Sequence, residues 1–405
     1  MKVLLAHKFF KYNGGADVFF FEVGRVLQKN GHDVAYFSTI DENNLDCEQK
    51  EYFVKAPDFL NGDFLTKSIQ FLKIPYNFTS KKKFSKLISD FKPDIIHVFN
   101  ITTHISPSIF DVAKKNNIPI AISCNDYKHI CPNYKLFHHG RICEDCKGGK
   151  FYKCIINKCC HNSMKHSIAS ALESYIHKFL NIYKKNIDLF LFASDFMAYK
   201  TEQFWGKGNF KWAKLLNPFD IPYIETNESV GRYGLYFGRL IDEKGVNVLI
   251  DAINEIEEIR FKIIGDGPDK IKLKESLKKE RVKNVEFTGE LWGEELNNLL
   301  YNSKFVVLPS IWHENFPYVI LQSFAAGKPV IGTKRGGIPE LIIDNEHGFL
   351  YEADNVAELV TKIKSLWYND TLCQSMGKKA QNFVKENFND TIFYESIMSN
   401  YQKIL

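Results

Sequence analysis

Two cationic side chains in the second half of the sequence stand where an anion could be bound. Arg239 comes directly after the apolar segment Gly234–Phe237, and Lys244 precedes the helical pattern Gly245–Glu257. A helix N-terminus offers unsatisfied N–H groups and partial positive charge, so a strand-to-helix junction with two cations suits a diphosphate. Arginine supplies a planar fork and lysine a point charge. A solvated surface pair explains the same spacing equally well.

A carboxylate follows the next buried segment in the same way. Glu314 lies in the loop 309–317, which comes after the strand-like Phe305–Leu308 and before the helical pattern Val319–Gly327. A carboxylate, backbone N–H groups and a helix N-terminus can together bind sugar hydroxyls and phosphate oxygens. The alternative is an ordinary strand–helix connection with Glu314 in solvent.

Polar side chains also end strand-like segments of the first half. His97 lies in the segment Asp94–Val98, and Asn100 and His104 follow it. Imidazole, amide and hydroxyl groups at one strand edge suit sugar recognition. A lone histidine in a strand is more often structural, so we expect His104 rather than His97 to contact a ligand.

These groups need a scaffold, and the alternation of strand-like and helical segments predicts one. Short, nearly continuous apolar segments separated by amphipathic helices indicate a parallel sheet covered on both faces. Such sheets bind ligands at the carboxyl ends of their strands, where all the groups above are placed. At 405 residues the chain exceeds one typical core, so two domains are expected.

We therefore predict two α/β domains and a terminal helix. The N-terminal domain covers 1–217 and the C-terminal domain 233–385. The linker 218–232 contains prolines and polar residues that interrupt any periodicity. The segment 386–405 is expected to be a helix that packs back toward the N-terminal domain, with Asp390 as its N-cap.

Composition excludes several classes of protein. Hydrophobic residues at 45% and charged residues at 25% are ordinary for a globular protein, which excludes wholesale disorder. A formal net charge of +5 is too small to indicate a nucleic-acid partner. The apolar run Val3–Ala6 is too short for a signal peptide, and no apolar stretch could span a bilayer. These features predict a cytoplasmic protein.

Most of the nine cysteines fall in the segment 131–161, which reads as an insertion in the N-terminal domain. In a reducing compartment, such a cluster favours metal binding over disulfides. The two-residue gap between Cys143 and Cys146 lets both thiolates reach one tetrahedral ion. Cys154 and Cys159 complete the predicted structural zinc site, with Cys131, Cys160 and His161 as substitutes. The alternative is a set of buried thiols without metal.

A basic, aromatic stretch lies between Lys67 and Lys92. Its lysines are interleaved with phenylalanines at positions 71, 78, 84 and 91. Basic amphipathic segments can hold an enzyme against anionic lipid headgroups. The alternative is a solvated helix face whose other side lies in the core, and it is slightly favoured.

The order of short motifs along the second half resembles glycosyltransferase family 4. The resemblance covers nearly the whole chain and is densest from Tyr233 to Leu350. It implies a GT-B fold, with two Rossmann-like domains facing across a cleft, and retaining transfer from a nucleotide sugar without a catalytic metal. The motifs that carry it are Gly238-Arg239, Lys244-Gly245, Gly265-Asp266-Gly267-Pro268, Thr288-Gly289-Glu290, Pro309-Ser310, Glu314, Gly327-Lys328-Pro329-Val330 and Gly336-Gly337-Ile338-Pro339-Glu340.

The resemblance assigns a role to each matching position. Arg239 and Lys244 would hold the donor diphosphate, and Glu314 would contact the transferred sugar. With Asn125, these are the predicted catalytic residues. The predicted donor-binding residues are Gly15, Gly238, Arg239, Lys244, Gly265, Glu290, Glu314, Asn315, Phe316 and Gln322. The predicted acceptor-binding residues are Asn100, His104, Asp126 and Tyr127.

Two positions depart from the family pattern. Asn125 replaces the usual histidine of a His-Asp-Tyr motif, and asparagine cannot titrate near neutral pH. Gln322 replaces the second glutamate of the Glu-seven-residues-Glu motif and loses a charge-assisted bond to the ribose. Transfer of a hexose-type sugar to a saccharide or lipid-linked saccharide, in surface polysaccharide synthesis, is the prediction. A non-catalytic nucleotide- or glycan-binding relative and a GT-B nucleotide-sugar epimerase are the alternatives.

Overall fold

The computed structural model describes residues 1–57, 74–219 and 231–405, and the chain divides into two compact units. The N-terminal unit comprises Met1–Leu136, Glu144–Pro218 and Asp390–Leu405. The C-terminal unit comprises Phe137–Cys143 and Phe219–Asn389. Each unit contains one six-stranded sheet, which gives the two parallel α/β layers expected from the sequence.

The sheet of the N-terminal unit has the strand order β10-β9-β6-β5-β1-β2, and its strands are all parallel. The central strands of this sheet are buried because helices cover both of its faces, so their sequences consist mostly of apolar residues. Two short pairs, β3 with β4 and β7 with β8, lie outside this sheet. The strands of the first half are β1 (Lys2–Ala6), β2 (Asp33–Phe37), β3 (Thr39–Ile40), β4 (Val54–Lys55), β5 (Ile95–Val98), β6 (Ile120–Cys124), β7 (Phe137–His138), β8 (Arg141–Ile142), β9 (Leu189–Phe192) and β10 (Trp212–Lys214).

The helices of this unit follow its strands. The first one ends at Lys29, and Gly31 just beyond it takes a left-handed φ of 77°, which is typical of a helix C-terminus. The described α-helices are α1 (Gly15–Lys29), α2 (Phe78–Phe91), α3 (Ser108–Lys115), α4 (Tyr152–Ile156), α5 (Met164–Phe179), α6 (Ile182–Asn186), α7 (Asp195–Trp205) and, from the end of the chain, α15 (Asp390–Gln402).

The sheet of the C-terminal unit repeats this plan with the order β13-β12-β11-β14-β15-β16. Its strands are β11 (Gly234–Phe237), β12 (Phe261–Ile264), β13 (Val285–Gly289), β14 (Phe305–Leu308), β15 (Val330–Thr333) and β16 (Gly348–Tyr351). Its α-helices are α8 (Val246–Asn254), α9 (Lys270–Glu275), α10 (Gly293–Tyr301), α11 (Tyr318–Ala325), α12 (Ile338–Leu341), α13 (Val356–Trp367) and α14 (Asp370–Asn387).

Each sheet has a point at which the order of its strands reverses. In the C-terminal unit it lies between the neighbours β11 and β14, and in the N-terminal unit between β1 and β5. Loops leaving two such strands diverge to opposite faces and open a crevice at the carboxyl edge. Each crevice is therefore the natural place for a ligand within its own unit.

One predicted helix is divided in the structure. The sequence predicts a helix over Lys270–Arg281, but α9 ends at Glu275 and a 3₁₀ helix follows at Lys279–Asn284. The side chain of Asn254 explains the break, because its Nδ2 donates to the carbonyl of Ser276 and its Oδ1 accepts from the N–H of Lys278. Those two backbone groups then no longer bond within a helix.

The predicted N-cap role of Asp390 is wrong. Asp390 is the first residue of α15, and its carboxylate accepts hydrogen bonds from Arg25 and Lys29 of α1. The carboxylate thus ties α15 to α1 within the N-terminal unit.

The basic stretch around α2 packs as an ordinary amphipathic helix. Phe84, Leu87 and Ile88 are buried in the core, and Lys83 donates to the carbonyls of Glu51 and Phe53. Lys81 donates to the hydroxyl of Tyr76. Lys67, Phe71 and Lys73 lie outside the described residues. For the described part, these contacts favour the solvated-helix interpretation over a lipid surface.

Candidate functional site

The cations predicted to bind a diphosphate lie at the reversal point of the C-terminal sheet. The N–H of Gly238 donates to Ile264 at 3.0 Å and extends the sheet by one residue beyond β11. The chain then turns, and the hydroxyl of Tyr236 holds the carbonyl of Arg239 at 2.8 Å. The Arg239 side chain is consequently exposed, while Lys244 ends a 3₁₀ turn, Asp242–Lys244, just before α8.

Lys244 and Glu314 form an ion pair at this edge. The Lys244 Nζ lies 2.6 Å from Glu314 Oε1, and the Ser310 hydroxyl donates to the same oxygen at 2.7 Å. Thr333, at the end of β15, in turn donates to the carbonyl of Ser310. Three strand ends, those of β11, β14 and β15, thus converge on one carboxylate.

Two glycines allow the loops to approach this closely. A Cβ on Gly245 would lie 2.1 Å from the carbonyl oxygen of Pro309, and one on Gly336 would lie 2.1 Å from that of Glu314. Both have left-handed φ values, 65° and 60°, which other residues adopt only with strain. The loop after β15 therefore rests on the Glu314 backbone, where Gly337 N–H donates to its carbonyl at 2.7 Å.

Glu314 remains ionised although it is buried. Burial would raise the pKa of its carboxyl, but the charge of Lys244 and the hydrogen bonds from Lys244 and Ser310 outweigh burial and lower the pKa. At neutral pH the group is a carboxylate, an acceptor for hydroxyl groups, held in one orientation by its neighbours.

The other predicted donor residues of this unit fall at the same edge or close to it. Gly265 follows β12 and donates its N–H to Gly289, while Glu290 is exposed directly after β13. Asn315 and Phe316 are buried beside Glu314 in sequence. Gln322 is half-buried in α11. Gly15 belongs to the N-terminal unit, where it is the exposed first residue of α1.

The predicted acceptor residues gather at the carboxyl edge of the N-terminal sheet. Asn100, after β5, donates from Nδ2 to the carboxylate of Asp126, after β6, at 3.2 Å. Burial raises the pKa of Asp126, against the effect of the hydrogen bond from the N–H of Lys128. Tyr127 is buried, and Asn125 is half-buried. Among the described residues, the Nδ2 of Asn125 has no hydrogen-bond partner.

The two histidines of the β5 edge differ in burial. His97 is fully buried and bonds to the hydroxyls of Tyr401 and Ser123, so it is part of the core. His104 is half-buried, and its ring packs edge-on against Phe9. Burial lowers the pKa of His104 to about 4, which leaves a neutral imidazole for hydrogen bonding.

Sequence reasoning missed a buried pair close to these groups. His7 Nε2 and Asp17 Oδ1 lie 2.7 Å apart and connect the end of β1 to the first turn of α1. Burial lowers the pKa of His7, against the favourable effect of Asp17. The ten-residue spacing gives no helical or strand periodicity, so only the fold reveals it. Ser310 was missed as a partner of Glu314, although it lies only four residues before it in the same loop.

The predicted zinc site is not supported. Among the residues that the structure describes, no three His, Cys, Asp or Glu side chains are arranged to hold a metal ion. Cys146, Cys154 and Cys160 instead form a buried apolar cluster, with the Sγ atoms of Cys154 and Cys160 separated by 3.9 Å. Cys159 packs against that cluster, and Cys143 belongs to the C-terminal unit. The predicted four residues are therefore divided between two units.

A separate cavity of about 380 Å³ lies in the N-terminal unit. The cationic residues Lys128, Lys178 and Lys184 line it together with Tyr183 and Trp205. None of the predicted donor or acceptor residues lines this cavity, so sequence reasoning did not anticipate it.

Two models of protein families match the chain. The model described as Glycosyltransferase Family 4 matches residues 13–209. The model described as Glycosyl transferases group 1 matches residues 226–383. The first covers the predicted acceptor residues, and the second covers Lys244 and Glu314 with the loops around them.

Individual proteins show similarity of the same kind. An uncharacterized glycosyltransferase of Methanocaldococcus jannaschii is 35% identical over 40% of this chain. The matched region spans about half of that relative's own length (46%). An uncharacterized protein from the cps region of Klebsiella pneumoniae is 28% identical over 81% of the chain and 83% of its own length. The Anabaena protein HepE, solved in complex with UDP, has a TM-score of 0.70 at 16% identity, with both chains fully covered.

Proposed function

Because the chain belongs to the family 4 glycosyltransferases of the GT-B fold, we propose that it transfers a sugar from a nucleoside diphosphate to a saccharide or lipid-linked saccharide. Transfer with retention of the anomeric configuration, in the cytoplasm and toward a surface polysaccharide, is part of this proposal. The relative from a cps region supports the polysaccharide context.

One observation carries the proposal: a lysine and an ionised carboxylate share the reversal point of the C-terminal sheet. Lys244 Nζ is 2.6 Å from Glu314 Oε1, at the carboxyl ends of β11 and β14. A nucleotide sugar has a dianionic diphosphate beside a neutral, hydroxyl-rich ring. The lysine matches the first part of the donor and the carboxylate matches the second.

Donor binding would change the partner of Lys244. Without the donor, Glu314 neutralises the lysine in a place that water reaches poorly. A diphosphate brings more negative charge than one carboxylate, so the ammonium group can turn toward it while Ser310 keeps Glu314 in place. Arg239, exposed at the preceding turn, can approach the same phosphates. Glu314 then accepts hydrogen bonds from sugar hydroxyls.

The same cations would serve the chemical step. When the bond between the sugar and the diphosphate breaks, negative charge grows on the leaving phosphate oxygen. Lys244, Arg239 and the N–H groups at the start of α8 favour that charge, and preorganised groups of this kind supply much of enzymatic rate enhancement. This scheme needs no catalytic metal.

The acceptor edge offers orientation rather than a base. Asn125 has an amide where a titratable group is usual, so it can position a hydroxyl but cannot remove its proton. In the proposed mechanism the departing phosphate takes that proton. Asn100, His104 and Asp126 then serve to orient the acceptor.

The donor part of the proposal is tested by a thermal-shift panel of UDP-, GDP- and ADP-sugars with the full chain. UDP-sugars are tried first, since HepE was solved with UDP. A rise in the melting temperature with at least one nucleotide sugar is expected, because ligand binding to the folded state stabilises it. No response to any of them would overturn the donor assignment.

Turnover is tested with Glu314→Gln and the matched control Glu346→Gln. Glu346 is exposed in the loop before β16, at the opposite edge of the sheet. Release of nucleoside diphosphate with saccharide acceptors should fall about 100-fold or more for Glu314→Gln and remain unchanged for Glu346→Gln. Binding without turnover in the wild type would favour the non-catalytic alternative, and an isomerised donor sugar would favour the epimerase.

A further inference from the structure

Helix α5 exposes its large apolar side chains and buries small or polar ones, the reverse of an ordinary surface helix. Its large apolar side chains point outward: Met164, Ile168, Leu172, Tyr175 and Phe179 are all exposed, with Phe179 at 89% and Leu172 at 55%. Its buried side chains are small or polar, namely Ser167, Ala171, Glu173 and His177. Folding of the monomer thus leaves the apolar face in water, where it is unfavourable.

The exposed residues form one continuous stripe. Their spacings of four, four, three and four residues place them within an arc of about 80° at 3.6 residues per turn. The stripe is about 22 Å long at 1.5 Å per residue. The exposed Tyr152 of α4 extends it sideways, since its backbone N–H donates to the hydroxyl of Tyr175.

Lys165 and Lys178 flank the stripe on α5, and the chain segment around it carries an excess of positive charge. Between residues 144 and 186 the chain has eight lysines and three carboxylates, an excess of five that equals the formal net charge of the whole chain. Two of the three carboxylates are already paired, Glu173 with Lys128 and Glu144 with Lys200. The exposed lysines of this segment are Lys147, Lys150, Lys158, Lys165, Lys178 and Lys185.

We propose that the stripe of α5 and its exposed lysines form a docking surface for an anionic phospholipid bilayer, with α5 lying in the plane of the headgroups. A helix with an apolar face and a lysine-rich surround binds such a surface by inserting its side chains and attracting acidic headgroups. A protein with only one of the two features binds weakly, and α5 has both.

Charge decides between this occupant and a second copy of the chain. Pairing two α5 stripes would bring two lysine-rich surrounds together, which opposes association. An anionic membrane has the complementary charge. Spanning is excluded for α5 by its length, and no helix among the described residues is long and apolar enough to cross a bilayer. This surface is independent of the donor site and of the proposed transfer.

The test is co-sedimentation of the full chain with vesicles of phosphatidylcholine containing 30% phosphatidylglycerol, against vesicles of phosphatidylcholine alone. We expect binding to the anionic vesicles in 0.1 M salt, much weaker binding in 0.5 M salt, because salt screens the lysines, and little binding to the neutral ones. Failure of the wild type to bind anionic vesicles would overturn the proposal.

The variant Leu172→Glu/Phe179→Glu removes the centre of the stripe, and Ile271→Glu/Trp292→Glu is its matched control. Ile271 and Trp292 are exposed to 71% and 70% in the C-terminal unit, so both doubles add the same charge to exposed apolar positions. We expect the α5 double to lose vesicle binding at least tenfold and the control to bind within about twofold of wild type. Equal loss in both would overturn the proposal.

Two further variants separate the apolar contribution to binding from that of the lysines. Leu172→Ala/Phe179→Ala keeps the charge and should still weaken binding, and unchanged far-ultraviolet circular dichroism verifies its fold. Lys158→Gln/Lys165→Gln should weaken binding about fivefold per lysine and reduce its salt dependence. If sedimentation equilibrium instead shows a wild-type dimer that the α5 double dissociates, with no lipid binding, the stripe is a contact between copies and the proposal is wrong.

Discussion

Lys244 and Glu314 are 70 positions apart in the chain and form an ion pair at the edge of the C-terminal sheet. Each charge offsets the desolvation cost of placing the other one there. The carboxylate is buried and would be costly without a cation beside it. The cation, in turn, is held where a phosphate can replace its partner. The pair is therefore a structural contact and, in the proposed function, also the site that receives the donor.

We expect Lys244→Ala to weaken donor binding about 10- to 100-fold, as the loss of one charge-assisted contact does. The pKa of Glu314 should rise in this variant, because burial remains while the opposing charge is gone. Calorimetric titration with the nucleotide sugar that responds in the thermal-shift panel measures the first effect. The matched control is Lys283→Ala, which removes an exposed lysine just before β13, at the other edge of the sheet. Equal affinities of the two variants would contradict the phosphate role.

At the scale of elements, the C-terminal helix α15 and the cysteine segment are both held in place by side-chain contacts. Helix α15 packs on the N-terminal unit, where Tyr401 bonds to His97 and Asp390 bonds to Arg25 and Lys29. The cysteine segment packs through thiols that behave as small apolar side chains. Both elements can be tested by a single substitution.

We expect Asp390→Asn to lower the free energy of unfolding by about 1–2 kcal/mol at neutral pH. Hydrogen bonds from Arg25 hold the pKa of Asp390 well below its ordinary value. The stabilisation is thus full above the unfolded-state pKa of about 4 and is lost as the pH falls toward the lowered one. Urea unfolding at pH 7 and pH 3 should show a larger difference from wild type at pH 7 than at pH 3, because the loss begins only below the unfolded-state pKa. Asp46→Asn, which removes an exposed pair with Lys50, should change little at either pH.

For the cysteine cluster we expect Cys154→Ser to destabilise the protein by about 1–3 kcal/mol, because it buries a hydroxyl among apolar groups. Cys143→Ser should have little effect, since Cys143 is half-buried and outside that cluster. Thermal unfolding together with metal analysis of the purified protein measures both. Bound zinc that is lost in both variants would contradict packed thiols and restore the zinc site predicted from the spacing.

At the scale of the whole molecule, three histidines whose pKa values are strongly lowered lie in the N-terminal unit. Burial lowers the pKa of His97 and His129 to about 3 and that of His104 to about 4, and all three belong to the N-terminal unit. Between these values and about 6.5 the unfolded chain binds protons that the folded unit does not. Acid should therefore destabilise the N-terminal unit through these groups.

We expect the melting temperature of that unit to fall as the pH is lowered from 7 to 5, with each histidine contributing roughly 1.4 kcal/mol per pH unit below 6.5. Differential scanning calorimetry at several pH values measures the slope. His104→Gln should make the slope shallower, whereas His166→Gln, at an exposed position of α5, should leave it unchanged. A slope that is the same in all three proteins would contradict this account.

The sequence by itself determined the two α/β layers, the strands that carry ligand groups and the family. Apolar segments that alternate with amphipathic helices are compatible with few folds other than a parallel sheet covered on both faces. The short motifs at the strand ends consist of neighbouring residues, so they can be recognised without the fold. The predicted strands Asp94–Val98, Gly234–Phe237 and Phe305–Leu308 lie within one residue of the observed ones. The helix over Lys270–Arg281 failed because Asn254, a residue distant in sequence, binds the backbone at Ser276 and Lys278.

Only the tertiary structure decided which side chains meet. The Lys244–Glu314 and His7–Asp17 pairs, the division of the cysteines between two units and the outward apolar face of α5 depend on contacts between distant segments. The periodicity of α5 indicates a helix with one apolar face but not which way that face points. Direction is fixed by what packs on the other side, and here small and polar residues do, so the face the sequence marks as core lies in solvent.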